Sequence, residues 1–229
     1  MNGGILMDES KRKIVEMRIE KTLEALRKNR MEAVYAPTRK EAIEQVAEYL
    51  EEGQMVTCGG SVTLEECGIM NLLRSGLYEF LDRSAPGTTP QKVEEIYRMA
   101  FCADVYLTSS NAITEQGELF NVDGNCNRVA AMLFGPKSVI VVAGYNKIVA
   151  NLEEAVLRLK TEAAPANCIR LNRDTYCAHT GECKGVCGGM TEGCASADRI
   201  CAGYTVIAKQ QPKYEGRIKV ILVGEELGY

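Results

Sequence analysis

A chain of 229 residues, 46% hydrophobic and 25% charged, has the make-up of a folded protein with a sizeable core, in one large domain or two small ones, and not of a disordered segment. Its formal net charge of -4 leaves no basic footprint, which argues against nucleic acid as the main partner. No apolar run approaches the roughly 20 residues that cross a bilayer, and the opening MNGGILMDESKRK lacks the h-region and cleavage site of a signal peptide, so the expected location is cytoplasmic.

Ile14, Met17, Ile19, Leu23 and Leu26 recur at helical intervals among many charges, with Asp8 and Ser10 as caps. They predict an outer amphipathic helix within residues 1–30. Residues 32–36 read as a first strand, Thr38 as the cap of a helix running to about Glu52, and Gly53 as its stop. A second strand over 55–58 runs straight into Gly59, Gly60 and Ser61, with a helix start over 63–66. Strand, glycines, hydroxyl and helix make a cradle for an oxyanion or phosphate; a tight turn explains the same residues as well. A third strand is expected over 77–81, a turn-rich connection over 84–90, and a helix over 90–102 with Val93, Ile96, Tyr97 and Ala100 on one side.

Residues 105–144 predict a strand, a polar loop, a helix over 129–134 and a second strand over 138–143. The loop gathers Asn111, Glu115, Asn121, Asp123, Gly124, Asn127 and Arg128, a density of unlike polar groups that points to a ligand pocket. Glu115 and Asp123 are its candidate acid/base groups, provided burial or a neighbour moves their pKa towards neutrality. Each also has a plainer role as a cap or a partner of Arg128, Asp123 more so because Asp-Gly is a turn pair. Lys147 follows the next strand end, where open α/β sheets bind ligands; it suits an anion, or is a solvated lysine. A helix over 151–164 closed by Pro165, and two strands over 204–209 and 217–223 joined by a turn at 212–216, complete the chain. The alternation predicts an α/β fold, a mostly parallel sheet with helices on both faces and an antiparallel strand pair at the end.

Residues 168–201 hold six of the ten cysteines and the only histidine, His179. In a reducing compartment such a concentration of thiols points to a metal or cluster, because crowded free thiols invite oxidation. From Cys177 the spacing is C-x5-C-x3-C-x6-C-x6-C, which lacks the paired C-x2-C of zinc ribbons and is not a ferredoxin run. The glycine-rich segment has too little apolar content to order itself, and a metal would supply that order. The plainer alternative is a mobile loop with free or linked thiols. Cys58, Cys67, Cys102 and Cys126 are scattered and read as small core residues, except that Cys126, at a helix start, is placed for a lowered pKa.

The segments GGSVTLEECGI, SSNAITEQGELFNVDGNCNRVAAM, GPKSVIVVAGYNKIV, APANCIRLN, DRIC and ILVGEELGY resemble the lactate-utilisation (LUD) domain family. The resemblance implies a single domain over residues 1–229 with the fold of ribose-5-phosphate isomerase, glucosamine-6-phosphate deaminase, CoA transferases and formyltetrahydrofolate cyclo-ligase, whose ligands lie over the carboxyl ends of the strands. It places Gly59, Gly60, Ser61, Asn111, Asn121, Gly124, Asn127, Arg128 and Lys147 around a small anionic metabolite. It further implies an accessory or substrate-binding role in oxidation of lactate or another 2-hydroxy acid, beside iron–sulfur redox subunits and with a possible homo-oligomer. A stand-alone isomerase, transferase or cyclo-ligase is the alternative. Some single-domain relatives look similar over the cysteine segment, residues 168–203. That likeness implies Cys177, Cys183, Cys194 and Cys201 as ligands of an iron–sulfur cluster or, second, of zinc, with Cys187 as a substitute and His179 as a weaker candidate.

Overall fold

A computed structural model describes residues 8–229. The chain opens with α1 (Glu9–Lys28), capped by the Asp8 carboxylate, then β1 (Glu32–Ala36) and α2 (Arg39–Glu48), whose Thr38 and Glu41 form a capping box. Next come β2 (Met55–Cys58), α3 (Val62–Glu66), α4 (Ile69–Leu73), β3 (Glu79–Phe80) and α5 (Pro90–Met99). The central stretch gives β4 (Val105–Thr108), β5 (Ala112–Thr114), β6 (Leu119–Asp123), α6 (Asn127–Leu133), β7 (Ser138–Gly144) and β8 (Ile148–Val149). The chain continues through α7 (Leu152–Arg158), α8 (Ala164–Arg170), α9 (Tyr176–Thr180), β9 (Gly203–Ile207) and β10 (Ile218–Val223).

Six strands form one sheet in the order β1-β10-β7-β4-β2-β3, and every adjacent pair is parallel. Its central strands are apolar along their length because both faces are covered. The buried face of α1 (Ile19, Leu23, Leu26) packs on one side, and Ala42, Val46, Leu64, Ile69 and Leu73 from α2 to α4 on the other. Ile14 and Met17 of α1 are exposed, so the helix buries its second half only. Parallel strands end at the same edge. The segments after β2, β4, β7 and β10 therefore emerge side by side, and that shared edge is what assembles the site described below.

The α/β architecture is the one expected from the alternating pattern, and the differences have local causes. α2 stops at Glu48, and Gly53, at φ +80°, instead makes the turn into β2. The third strand shrinks to two residues on the sheet edge. Pro165 does not close the helix before it. A wide π turn over Leu159–Ala163 absorbs the proline, which has no N–H to donate, and α7 runs on into α8. The polar loop after β4 contains an unforeseen hairpin, β5 against β6. Its Gly117 lies at φ +77°, where a Cβ would come 2.6 Å from the backbone of Ala25 and Leu26, so the tip fits only without a side chain.

The expected antiparallel pair at the end of the chain does not form. β9 joins β6 in a smaller mixed sheet of order β8-β5-β6-β9, whereas β10 inserts between β1 and β7. Ile218, Val220, Ile221, Leu222 and Val223 are all buried, the mark of a strand covered on both faces, while β9 is only half-buried and suits an edge. At about 1.5–3 kcal/mol per buried aliphatic side chain, β10 contributes on the order of 10 kcal/mol, comparable with the whole stability of a typical domain. A chain shortened to end before Ile218 is accordingly expected to lose its cooperative thermal transition by circular dichroism, not merely to melt a few degrees lower.

Candidate functional site

The segments leaving β2, β4, β7 and β10 enclose a cleft of about 270 Å³. Gly59, Gly60, Ser61, Asn111, Asp123, Gly124, Asn127, Arg128 and Lys147, expected to meet, all line it. The glycines are there because side chains press close. A Cβ on Gly59 would sit 3.0 Å from the Tyr106 hydroxyl and 3.1 Å from Arg128 Cδ, and one on Gly60 would lie 2.5 Å from Arg83 Nη2. The Ser61 hydroxyl is used as the cap of α3, accepting from the Leu64 N–H. Gly124 lets Ile200 approach the cleft wall.

Arg128 lines the cleft but is committed inwards. Its Nη1 donates to Asn121 Oδ1 at 2.7 Å and to the Ser109 carbonyl at 3.4 Å; its Nη2 donates to the Val122 carbonyl at 2.9 Å and to Asn111 Oδ1 at 3.1 Å. Asn121 is fully buried behind this guanidinium and does not reach the cleft. Arg128, Asn111 and Asn121 thus tie the end of β4 to the β5–β6 hairpin and shape the cleft floor. Asp123 is the only side-chain carboxylate in the lining among the described residues, and its Oδ2 accepts from the N–H groups of Arg128 and Val129 at the start of α6.

Lys147 is buried, and its Nζ donates to Thr63 Oγ1 at 2.8 Å and Ser109 Oγ at 3.0 Å. Burial, and then the nearby Arg158 and Arg128, bring its pKa down to about 7. Three further cations line the cleft that the sequence did not single out: Arg83, Arg170 and Arg173. None of them has a carboxylate within ion-pair distance among the described residues. Arg83 donates to the Tyr97 hydroxyl at 2.9 Å and Arg170 to Asn167 Oδ1. Arg83 lies just after β3, Arg170 ends α8, and Arg173 lies beyond the turn that follows it.

Glu115 lies elsewhere. The hairpin carries it to the tip beside α1, where Oε1 accepts from Arg18 and Oε2 from Lys21, both at 2.6 Å. Lys21 and then Arg18, acting against burial, hold its carboxyl below the usual range. An acid/base role in the cleft is closed to it by position.

Cys168, Cys177, Cys183, Cys194 and Cys201 line a second, smaller chamber with Lys160, Arg199 and Tyr204, and Ile200 belongs to the walls of both cavities. Cys168 was not among the expected ligands; a position on α8, outside the spaced run, hid it. Cys187 is exposed and does not line the chamber, and His179 is an exposed partner of Asp174 at 2.8 Å. All ten thiols are free. Burial pushes Cys201 up to about 12 and Cys168 up to about 11, with neighbouring thiols adding to both. Among the described residues, no three Cys, His, Asp or Glu side chains converge closely enough to hold a single ion.

Two cations tie down the irregular backbone of the cysteine segment. Lys160 donates to the carbonyls of Gly185, Gly188 and Gly189 at 2.6, 3.2 and 2.7 Å. Arg199 donates to those of Thr191, Cys194 and Cys201 at 2.7, 3.2 and 2.9 Å. These donors supply order to residues 185–195 from within the chain, beside any that a metal would add.

A family model, the LUD domain, matches residues 19–223. A DUF162 family protein from Deinococcus radiodurans resembles the chain at 14% identity and a TM-score of 0.46, over 93% of this chain and 98% of that one. Ribose 5-phosphate isomerase from Plasmodium falciparum is similar over 49% of this chain and 52% of its own, at 18% identity and a TM-score of 0.32. The eIF2B beta subunit from Chaetomium thermophilum matches over 49% and 43%, at 14% identity and a TM-score of 0.34. No curated protein matches the chain. No helix among the described residues is long and apolar enough to cross a membrane.

Glu115→Gln is expected to lower the melting temperature by about 2–4 °C, the equivalent of roughly 1 kcal/mol for a partly exposed ion pair, and to leave anion binding in the cleft unchanged. Because the native carboxyl is held low, its contribution is present at neutral pH and lost as pH falls through the lowered pKa. Melting curves of the two proteins should therefore converge in acid.

Proposed function

The chain belongs to the LUD domain family, and on that footing we propose that it binds a small anionic metabolite in the cleft and serves as a substrate-binding or accessory subunit in the oxidation of lactate or a related 2-hydroxy acid. The observation that carries the binding reading is the charge balance of the lining. Lys147, Arg83, Arg170 and Arg173 face one side-chain carboxylate, Asp123, which is already engaged by backbone N–H groups. Cations left without carboxylates in a concave site are matched by an anionic ligand, and arginine forks suit carboxylate or phosphate oxygens.

Isothermal titration with lactate, inorganic phosphate and sugar phosphates tests this. Arg83→Gln is expected to weaken the best ligand about tenfold, the loss of one charge-assisted hydrogen bond. Affinity should fall as pH rises through about 7, where Lys147 loses its proton. No binding by any of these anions would overturn the reading.

The same proposal places a thiolate-held centre in the chamber, with Cys177, Cys183, Cys194 and Cys201 as ligands and Cys168 as a fifth thiol at hand. An all-thiol donor set suits either group, since zinc takes four sulfurs at about 2.3 Å from one point and a cluster takes cysteine thiolates on its separate irons; the redox setting of the proposed role favours the cluster. When bound, an iron–sulfur cluster supplies one-electron transfer, in keeping with redox subunits as partners. Protein prepared without oxygen should carry iron and acid-labile sulfide with visible absorbance, lost in Cys177→Ser and kept in Cys187→Ser. Stoichiometric zinc without sulfide would exclude the cluster, and no metal at all would remove the centre.

An enzyme acting in its own right, on a small phosphorylated or carboxylated compound, is the second reading. Lys147 favours it, as a buried amine whose pKa lies near the working pH.

A further inference from the structure

We propose that Lys147 is a nucleophilic amine that captures the carbonyl carbon of an anionic aldehyde or ketone as an imine. This deepens the anion-binding reading of the cleft and rests on it. An ammonium carries three N–H donors in tetrahedral array, but Nζ has two partners among the described residues, both hydroxyls. Thr63 Oγ1 spends its own proton on the Leu227 carbonyl at 3.2 Å, so it faces Nζ as an acceptor. With one N–H on Thr63 and the other on Ser109, a neutral amine is satisfied and its lone pair occupies the remaining tetrahedral position.

No carboxylate lies within ion-pair distance of Nζ among the described residues, while Arg128 and Arg158 stand close enough to oppose a charge there. Desolvation beside other cations is the general way in which a lysine becomes nucleophilic at neutral pH. Arg83, Arg170 and Arg173 line the same cleft and would hold the ligand's anionic group. The substrate class is therefore a short compound with a carboxylate or phosphate at one end and a carbonyl at the other.

In the step itself the Nζ lone pair forms the C–N bond, and the carbonyl π pair moves onto oxygen. Both amine hydrogens then leave with that oxygen as water when the C=N bond forms, and the hydroxyls of Thr63 and Ser109 are placed to pass those protons. Nothing is oxidised or reduced.

The test is reductive trapping on the intact protein, with glyoxylate and then erythrose 4-phosphate as probes, sodium cyanoborohydride as reductant and peptide mass spectrometry as readout. At pH 7 Lys147 should be alkylated at least tenfold faster than the exposed Lys40 and Lys92, because burial beside other cations leaves more of it as the free amine. The rate should drop below pH 6. Inorganic phosphate should protect Lys147 and leave the other two unaffected. Labelling of Lys147 no faster than Lys40 and Lys92 overturns the proposal. If phosphate still binds calorimetrically in that case, the anion-binding reading survives alone; if it does not, both fall. Fast labelling that phosphate does not slow would support the amine and count against the arginines as the anion site.

Discussion

The guanidinium of Arg128 is the constraint on which the cleft depends. It holds the carbonyls of Ser109 and Val122 and the amide oxygens of Asn111 and Asn121, four acceptors from two segments, 109–111 and 121–122, drawn together on one guanidinium. The carboxyl end of β4 and the first residues of the hairpin thereby become one surface, and Lys147, opposite, finds Ser109 in place. A planar fork with fixed N–H directions does this better than a flexible ammonium, so an Arg-to-Lys change at 128 would not be conservative.

The device recurs. Arg158 donates to the carbonyls of Asn111 and Asn146, Lys160 to three glycine carbonyls, Arg199 to three carbonyls of the cysteine segment, and Arg217 to those of Ala131, Met132 and Pro136 at the end of α6. Irregular backbone is costly to bury with its carbonyls unpaired. Here cations supply the donors, and of this group only Arg128 and Arg158 also face an acidic side chain, Asp123 and Glu162. The arrangement lets glycine-rich loops keep a definite shape and leaves the chamber walls to thiols.

What could be read in the sequence was what repeats. Alternating strands and helices, Thr38 and Asp8 as caps, and glycines after β2 all follow from local preferences, and the parallel sheet follows from their order. The cleft was legible for the same reason, since parallel strands end together and the polar residues after each were visible. Glu115 was misplaced because nothing local reveals that residues 112–123 fold back as a hairpin; the partner that fixes its tip, α1, lies some ninety positions earlier. Arg83, Arg170 and Arg173 were invisible because an arginine in a turn looks like any solvated arginine until the absence of a carboxylate partner is known. Cys168 was passed over because its neighbours in the chamber are set by α8 packing on α9, not by spacing. β10 looked like half of a hairpin because adjacency in sequence outweighed its unbroken apolar character.

The place of β10 also bears on how the molecule is made. Glu32 pairs with Lys219 and Val139 with Ile218, so a ribosome delivers both flanks of the central gap long before the strand that fills it. During that interval the inner edges of β1 and β7 stand open, apolar and unpaired, the condition in which nascent chains most readily stick to one another. Late closure across so wide a sequence separation also makes for slow folding. Until β10 arrives, completion of the sheet competes with association between unfinished chains.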